Sequence, residues 1–104
     1  MSLYRRDKLE VKMKKKVIAR LFIKNESTES FKKQAAVIIQ KTRKEKGCLF
    51  YSLFQDVSSP GEFLFYEEYA NQDALDIHFK SEYLKIFGTS TSNMHSKEKI
   101  VDII

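Results

Sequence analysis

Residues 47–87 read GCLFYSLFQDVSSPGEFLFYEEYANQDALDIHFKSEYLKIF, and the fold follows from how this stretch is divided. Two aromatic-rich runs, 48–57 and 63–70, flank Ser58-Ser59-Pro60-Gly61, whose residues supply turn chemistry. The pattern predicts an antiparallel hairpin. In the first run Leu49, Tyr51 and Leu53 alternate with Cys48, Phe50, Ser52 and Phe54. In the second, Phe63, Phe65, Glu67 and Tyr69 alternate with Leu64, Tyr66, Glu68 and Ala70. Asn71 followed by Gln72 and Asp73 is an N-cap signal. Leu75, Phe79, Tyr83, Ile86 and Phe87 then form a helical stripe, so one helix is expected from 72 to 87, ended by Gly88. His78 falls on the flank of that stripe, with Glu82 one turn later.

Upstream, residues 16–24 predict a strand with two apolar faces: Val17, Ala19, Leu21 and Ile23 on one, Ile18 and Phe22 on the other, interrupted by Arg20. Residues 25–29 carry cap residues and acids suited to a helix start. Phe31, Ala35, Ile38, Ile39 and Thr42 then mark a helix expected to reach about residue 46, with Gly47 as its stop. Downstream, 89–96 reads as a loop or frayed turn, and 99–104 as a β-branched closing strand. The order β-α-β-β-α-β is the ferredoxin-like α+β arrangement, a four-stranded antiparallel sheet with both helices on one face. Both sheet faces are largely apolar, yet the helices cover one. A homodimer with sheets face to face is therefore expected.

The chain has 104 residues, the size of one domain. No apolar run approaches membrane-spanning length, and no apolar leader is visible at the N-terminus. The single cysteine, Cys48, excludes an intramolecular disulfide framework, which makes a cytoplasmic location the default. Residues 1–16 hold seven basic and two acidic side chains and account for the whole net charge of +5. The expected organisation is a basic arm over 1–14, a solvated leader able to add an edge strand or touch an acidic partner, and one domain over 15–104. A body with balanced charge argues against a nucleic-acid reader, and nothing suggests a membrane partner.

His78 is the leading candidate for acid–base chemistry, with Glu82 as its expected orienting partner. Tyr51, Tyr66 and Tyr69 read either as packing or as phenols that orient a ligand. Arg20 reads either as a rim residue paired with a glutamate or as an anion-binding group in a pocket. Cys48 reads as a small buried hydrophobe rather than a reactive thiol. His95 has no cluster around it, and His78, His95 and Cys48 lack metal-site spacing. The chain has no phosphate-cradling glycine loop and no nucleophile elbow.

The ordered set Gly47-Cys48-Leu49-x-Tyr51, Phe63-x-x-x-Glu67-x-Tyr69 and Ala74-Leu75-x-x-His78 resembles the antibiotic biosynthesis monooxygenase family over roughly residues 15–103. The resemblance implies a dimeric α+β barrel with a pocket between helices and sheet. It implies a cofactor-independent monooxygenase acting with O₂ on a small aromatic, quinol-like or enolisable substrate, without metal or flavin. His78 and Tyr51 would be catalytic, with Tyr69, Phe65, Glu67 and Arg20 around the substrate. Haem-degrading members carry an Asn on the first strand and a Trp on the third. Ala19 and Tyr69 stand there in this chain, which has no Trp, so haem degradation is disfavoured. The alternative is a non-catalytic ligand-binding or stress-related dimer of the same fold.

Overall fold

The computed structural model describes residues 13–104. The chain runs β1 (Lys15–Ile23), a 3₁₀ turn (Asn25–Ser27), α1 (Thr28–Thr42), β2 (Cys48–Gln55), β3 (Glu62–Tyr69), α2 (Gln72–Phe79), α3 (Glu82–Ser90), a second 3₁₀ turn (Ser92–Met94) and β4 (His95–Ile103). The sheet order is β2-β3-β1-β4 with every pairing antiparallel, as expected for the ferredoxin-like order of elements. Most of the basic arm, residues 1–12, lies outside the described residues. Among the described residues no helix is long and apolar enough to cross a membrane.

One sheet face carries the core. Ala19, Leu21 and Ile23 of β1 and Phe63 and Phe65 of β3 meet Phe31, Ala35 and Ile38 of α1. These are the alternate residues of each strand and the helical stripe of α1, so period 2 meets period 3.6 at one layer. Fully burying a side chain such as Phe31 is worth about 1.5–3 kcal/mol. The opposite face holds Ile18, Arg20, Phe22, Leu64 and Tyr66. Its apolar members Phe50, Phe54 and Ile100 remain exposed.

Four local expectations are corrected. First, α1 stops at Thr42, and residues 43–47 form turns held by Lys44 N–H to Lys41 O and Glu45 N–H to Thr42 O. Gly47 has no positive φ, so it is not a left-handed cap. A Cβ there would lie 2.3 Å from the Cβ of Ala74, so glycine lets this turn press against α2. Second, the single helix over 72–87 is two. Ser81 is extended, its Oγ accepting from Leu84 N–H at 3.3 Å and donating to His78 O at 2.7 Å, so it caps α3 and breaks the run. The new helix axis leaves Phe79 and Ile86 largely exposed, and Gly88 lies inside α3. Third, β2 is irregular between Cys48 and Phe50. This bulge turns Cys48 to the core face, opposite Tyr69, instead of leaving it beside Phe50. Fourth, β4 begins at His95, earlier than its β-branched residues suggest.

Candidate active site

A cavity of about 410 Å³ opens between the core face of the sheet and α2–α3. Tyr51, Glu67 and His78 line one end, and Gly88, His95 and Lys99 belong to the other. Ala19, Leu21, Phe65, Leu84 and Phe87 make the apolar walls. The volume falls within the ~300–1,000 Å³ usual for small-molecule sites.

His78 is 1% exposed and stands between two carboxylates. Its Nδ1 is 2.9 Å from Glu45 Oε2, and its Nε2 is 3.9 Å from Glu67 Oε1. Glu45 Oε2 also accepts from the Tyr83 hydroxyl, and Glu67 Oε1 accepts from the Tyr69 hydroxyl at 2.6 Å. A carboxylate oxygen accepts, so this contact puts a hydrogen on Nδ1 and leaves Nε2 as the nitrogen that faces Glu67. The rings of Tyr51 and Tyr69 lie 5.4 and 5.3 Å from the imidazole.

Local sequence sets this geometry. Asn71 Oδ1 accepts from Ala74 N–H at 2.9 Å and fixes where α2 starts. Ala74 and His78 are one turn apart on the same helix face. Gly47 packs on Ala74, and Glu45, two residues earlier in the turn, reaches His78. On the sheet side, Glu67 pairs with Val17 on β1 and Tyr51 on β2, which places both polar groups beneath α2.

Electrostatics follow from burial. Desolvation pushes the Glu67 carboxyl up to about 7, with the nearby Glu45 charge adding to it and the Tyr69 hydrogen bond opposing it. Burial and the Glu67 charge push the Tyr51 and Tyr69 phenols well above the ordinary tyrosine range, so both stay protonated as donors. Tyr83 is raised to about 12, first by burial and then by its bond to Glu45. Burial and the Glu45 charge push the Cys48 thiol up to about 11, against thiolate chemistry.

Of the residues singled out in the sequence, His78, Tyr51, Phe65 and Glu67 meet at the cavity. Tyr69 is fully buried behind Glu67 and acts through it. Arg20 is not in this group. It lies on the opposite sheet face, 3.8 Å from Glu62, with its guanidinium over the Phe22 ring. Glu82 is exposed in the first turn of α3 and does not orient His78. Glu45 does, held in turn by the Tyr83 hydroxyl; sequence reading passed over Glu45 and took Tyr83 only for a member of the apolar stripe. His95, isolated in sequence, lies at the cavity. Among the described residues no group of His, Cys, Asp and Glu is set to hold a metal ion. Glu45 and Glu67 flank opposite nitrogens of one imidazole, so the three do not converge on a common point.

The sequence pattern of the family described as antibiotic biosynthesis monooxygenase matches residues 16–88. An uncharacterised protein of Synechocystis sp. is 30% identical over 87 residues, which are 84% of this chain and 59% of that protein. The chain thus spans about three fifths of that relative's length. A solved antibiotic biosynthesis monooxygenase is 34% identical, with a TM-score of 0.82 over 86% of this chain and 95% of its own. A conserved protein from Methanosarcina mazei Go1 is 26% identical, with a TM-score of 0.85 over 93% of this chain and 96% of its own. The matched span takes in Tyr51, Glu67 and His78, which meet at the cavity, and Glu45, which holds His78 from behind. The chain belongs to the antibiotic biosynthesis monooxygenase family.

Proposed function

We propose that this protein is a cofactor-independent monooxygenase acting on a small aromatic, quinol-like or enolisable molecule, with His78 as the base. The observation that carries the reading is the imidazole held by Glu45 through Nδ1, with Nε2 turned toward Glu67 at one end of an apolar cavity. The Glu45 bond fixes the tautomer and stabilises the imidazolium that forms when Nε2 takes a proton. For a substrate with an acidic CH₂ group, the resulting carbanion gives one electron to O₂, and the two radicals combine to a peroxide. Loss of water from that peroxide leaves a carbonyl, so CH₂ and O₂ become C=O and H₂O. The proton held on His78 returns to the departing oxygen. Glu67, poised near neutrality, holds or relays it, and the Tyr51 phenol donates a hydrogen bond to the developing oxyanion. The apolar walls strengthen these charge interactions by excluding water.

The reading includes a homodimer in which two copies cover each other's outer sheet face. The test of function is His78→Ala against a panel of anthrones and quinols, followed by oxygen consumption and product formation. Turnover should fall by about 10²-fold or more while the fold is retained. Unchanged turnover on a confirmed substrate would remove His78 from the mechanism. Ligand-induced thermal shifts without oxygen uptake across the panel would favour the non-catalytic alternative.

A further inference from the structure

The cavity has two chemically different ends. Glu67 pairs with Val17 at one of them, and Val101 pairs with Ala19. Lys99, two residues before Val101, lies farther along β1 toward Leu21. The two ends are therefore roughly 13 Å apart at ~3.3 Å per residue. Walls between them are aliphatic and aromatic. At the reactive end the charged groups are acidic. At the far end Lys99 and His95 are the charged or ionisable side chains, and both line the cavity.

β4 is built to put them there. Between Ile100, opposite Arg20, and His95, opposite Ile23, the strand carries two register shifts. Plain alternation would give Lys97, Lys99 and Val101 one common face. The shifts instead place Lys97 opposite Phe22, with its ammonium 4.3 Å from that ring on the outer side of the sheet. Lys99 and His95 remain with the cavity. Among the described residues Lys99 makes no ion pair, whereas Lys14, Lys32 and Arg20 each have a carboxylate within reach. Burial, and then the Lys99 charge, lower the affinity of His95 for a second proton. It faces the cavity as a neutral imidazole with a hydrogen bond to offer.

We infer that this cavity selects flat aromatic molecules bearing a carboxylate at the end away from the reacting carbon, with Lys99 as the carboxylate's partner and His95 as a second donor. The inference rests on the oxygenase reading for which end reacts, but the preference itself is a binding property. A carboxylate directed to the other end would lack the lysine and would add a negative group beside the buried Glu67 carboxyl, with the Glu45 side chain behind His78, so the arrangement also fixes which way round the ligand enters.

The test compares anthraquinone-2-carboxylate with its neutral 2-carboxamide by isothermal titration on the full chain. The carboxylate should bind about tenfold more tightly, the order expected of one charge-assisted contact. Lys99→Ala should abolish that preference and leave the carboxamide unaffected, and Lys99→Arg should restore it. Lys85→Ala, which removes an equal charge from the exposed surface of α3, should keep it. Equal binding of the two probes, failure of both to bind, or a preference that survives Lys99→Ala would overturn the inference. Oxygen uptake is read separately. A Lys99-dependent preference without turnover leaves the binding claim intact and removes the oxygenase reading. Turnover of neutral quinols with no preference does the reverse.

Discussion

The carboxyl of Glu67 is packed beneath α2 among Tyr51, Tyr69 and His78, with the Glu45 charge nearby. Burial is the main reason it holds its proton up to about pH 7, against 4.5 ordinarily. Between these values the native protein keeps a proton that the unfolded chain has released. Stability therefore declines as pH rises through that window, by up to ~3 kcal/mol. Glu67→Gln keeps the shape and cannot ionise. Urea unfolding from pH 4.5 to 8 should show the decline in the wild type and a flatter profile in the variant, and superimposable profiles would contradict the account. Glu67 was legible in sequence as part of an ordered motif. Its neighbour Glu45 was not, because the contact with His78 joins residues 33 apart across a turn. Helical spacing pointed to Glu82, a rule that holds only within an unbroken helix.

Strands and helices were legible where apolar periodicity was strong, as in β1, α1 and the β2–β3 hairpin. What alternation cannot register is an inserted residue. Cys48 was misplaced for that reason, since a bulge puts neighbouring side chains on the other face. The start of β4 at His95 was missed for another, because residues 95–99 carry no β-branched or aromatic strand former. The break at Ser81 was hidden because a serine within a helical pattern and one capping a new helix look alike in sequence. The turn between α1 and β2 is the element most sensitive to change. Gly47→Ala forces its new methyl onto Ala74, and overpacking of this kind costs about 1–3 kcal/mol. Because the same turn carries Glu45, turnover should fall along with stability. Gly88→Ala is the contrast, since a Cβ there meets nothing within 4 Å and helix propensity favours it. Chemical denaturation with oxygen uptake on both variants checks the pair; a stable, active Gly47→Ala would refute the close-contact argument.

At the level of the whole molecule, the outer sheet face sets Phe50 against Tyr66, ring centroids 5.7 Å apart, with Phe54 and Ile100 exposed on the same side. A monomer leaving these in water forgoes much of the burial a domain of this size needs. If this face joins two copies, Leu64→Glu places like charges opposite each other across the two-fold axis. The dimer should then give way to monomer, with a lower melting temperature, by light scattering after size exclusion. An unchanged mass would locate the interface elsewhere or remove it.

The groups proposed to move protons come from residues 45–78, inside the span that the family pattern covers, which ends at residue 88. Lys99 and His95 come from β4, an edge strand beyond that span. Inheritance can therefore treat the two separately. A lineage can keep one proton-transfer apparatus and retailor the last strand, reaching differently charged molecules through substitutions that never touch the reacting atoms.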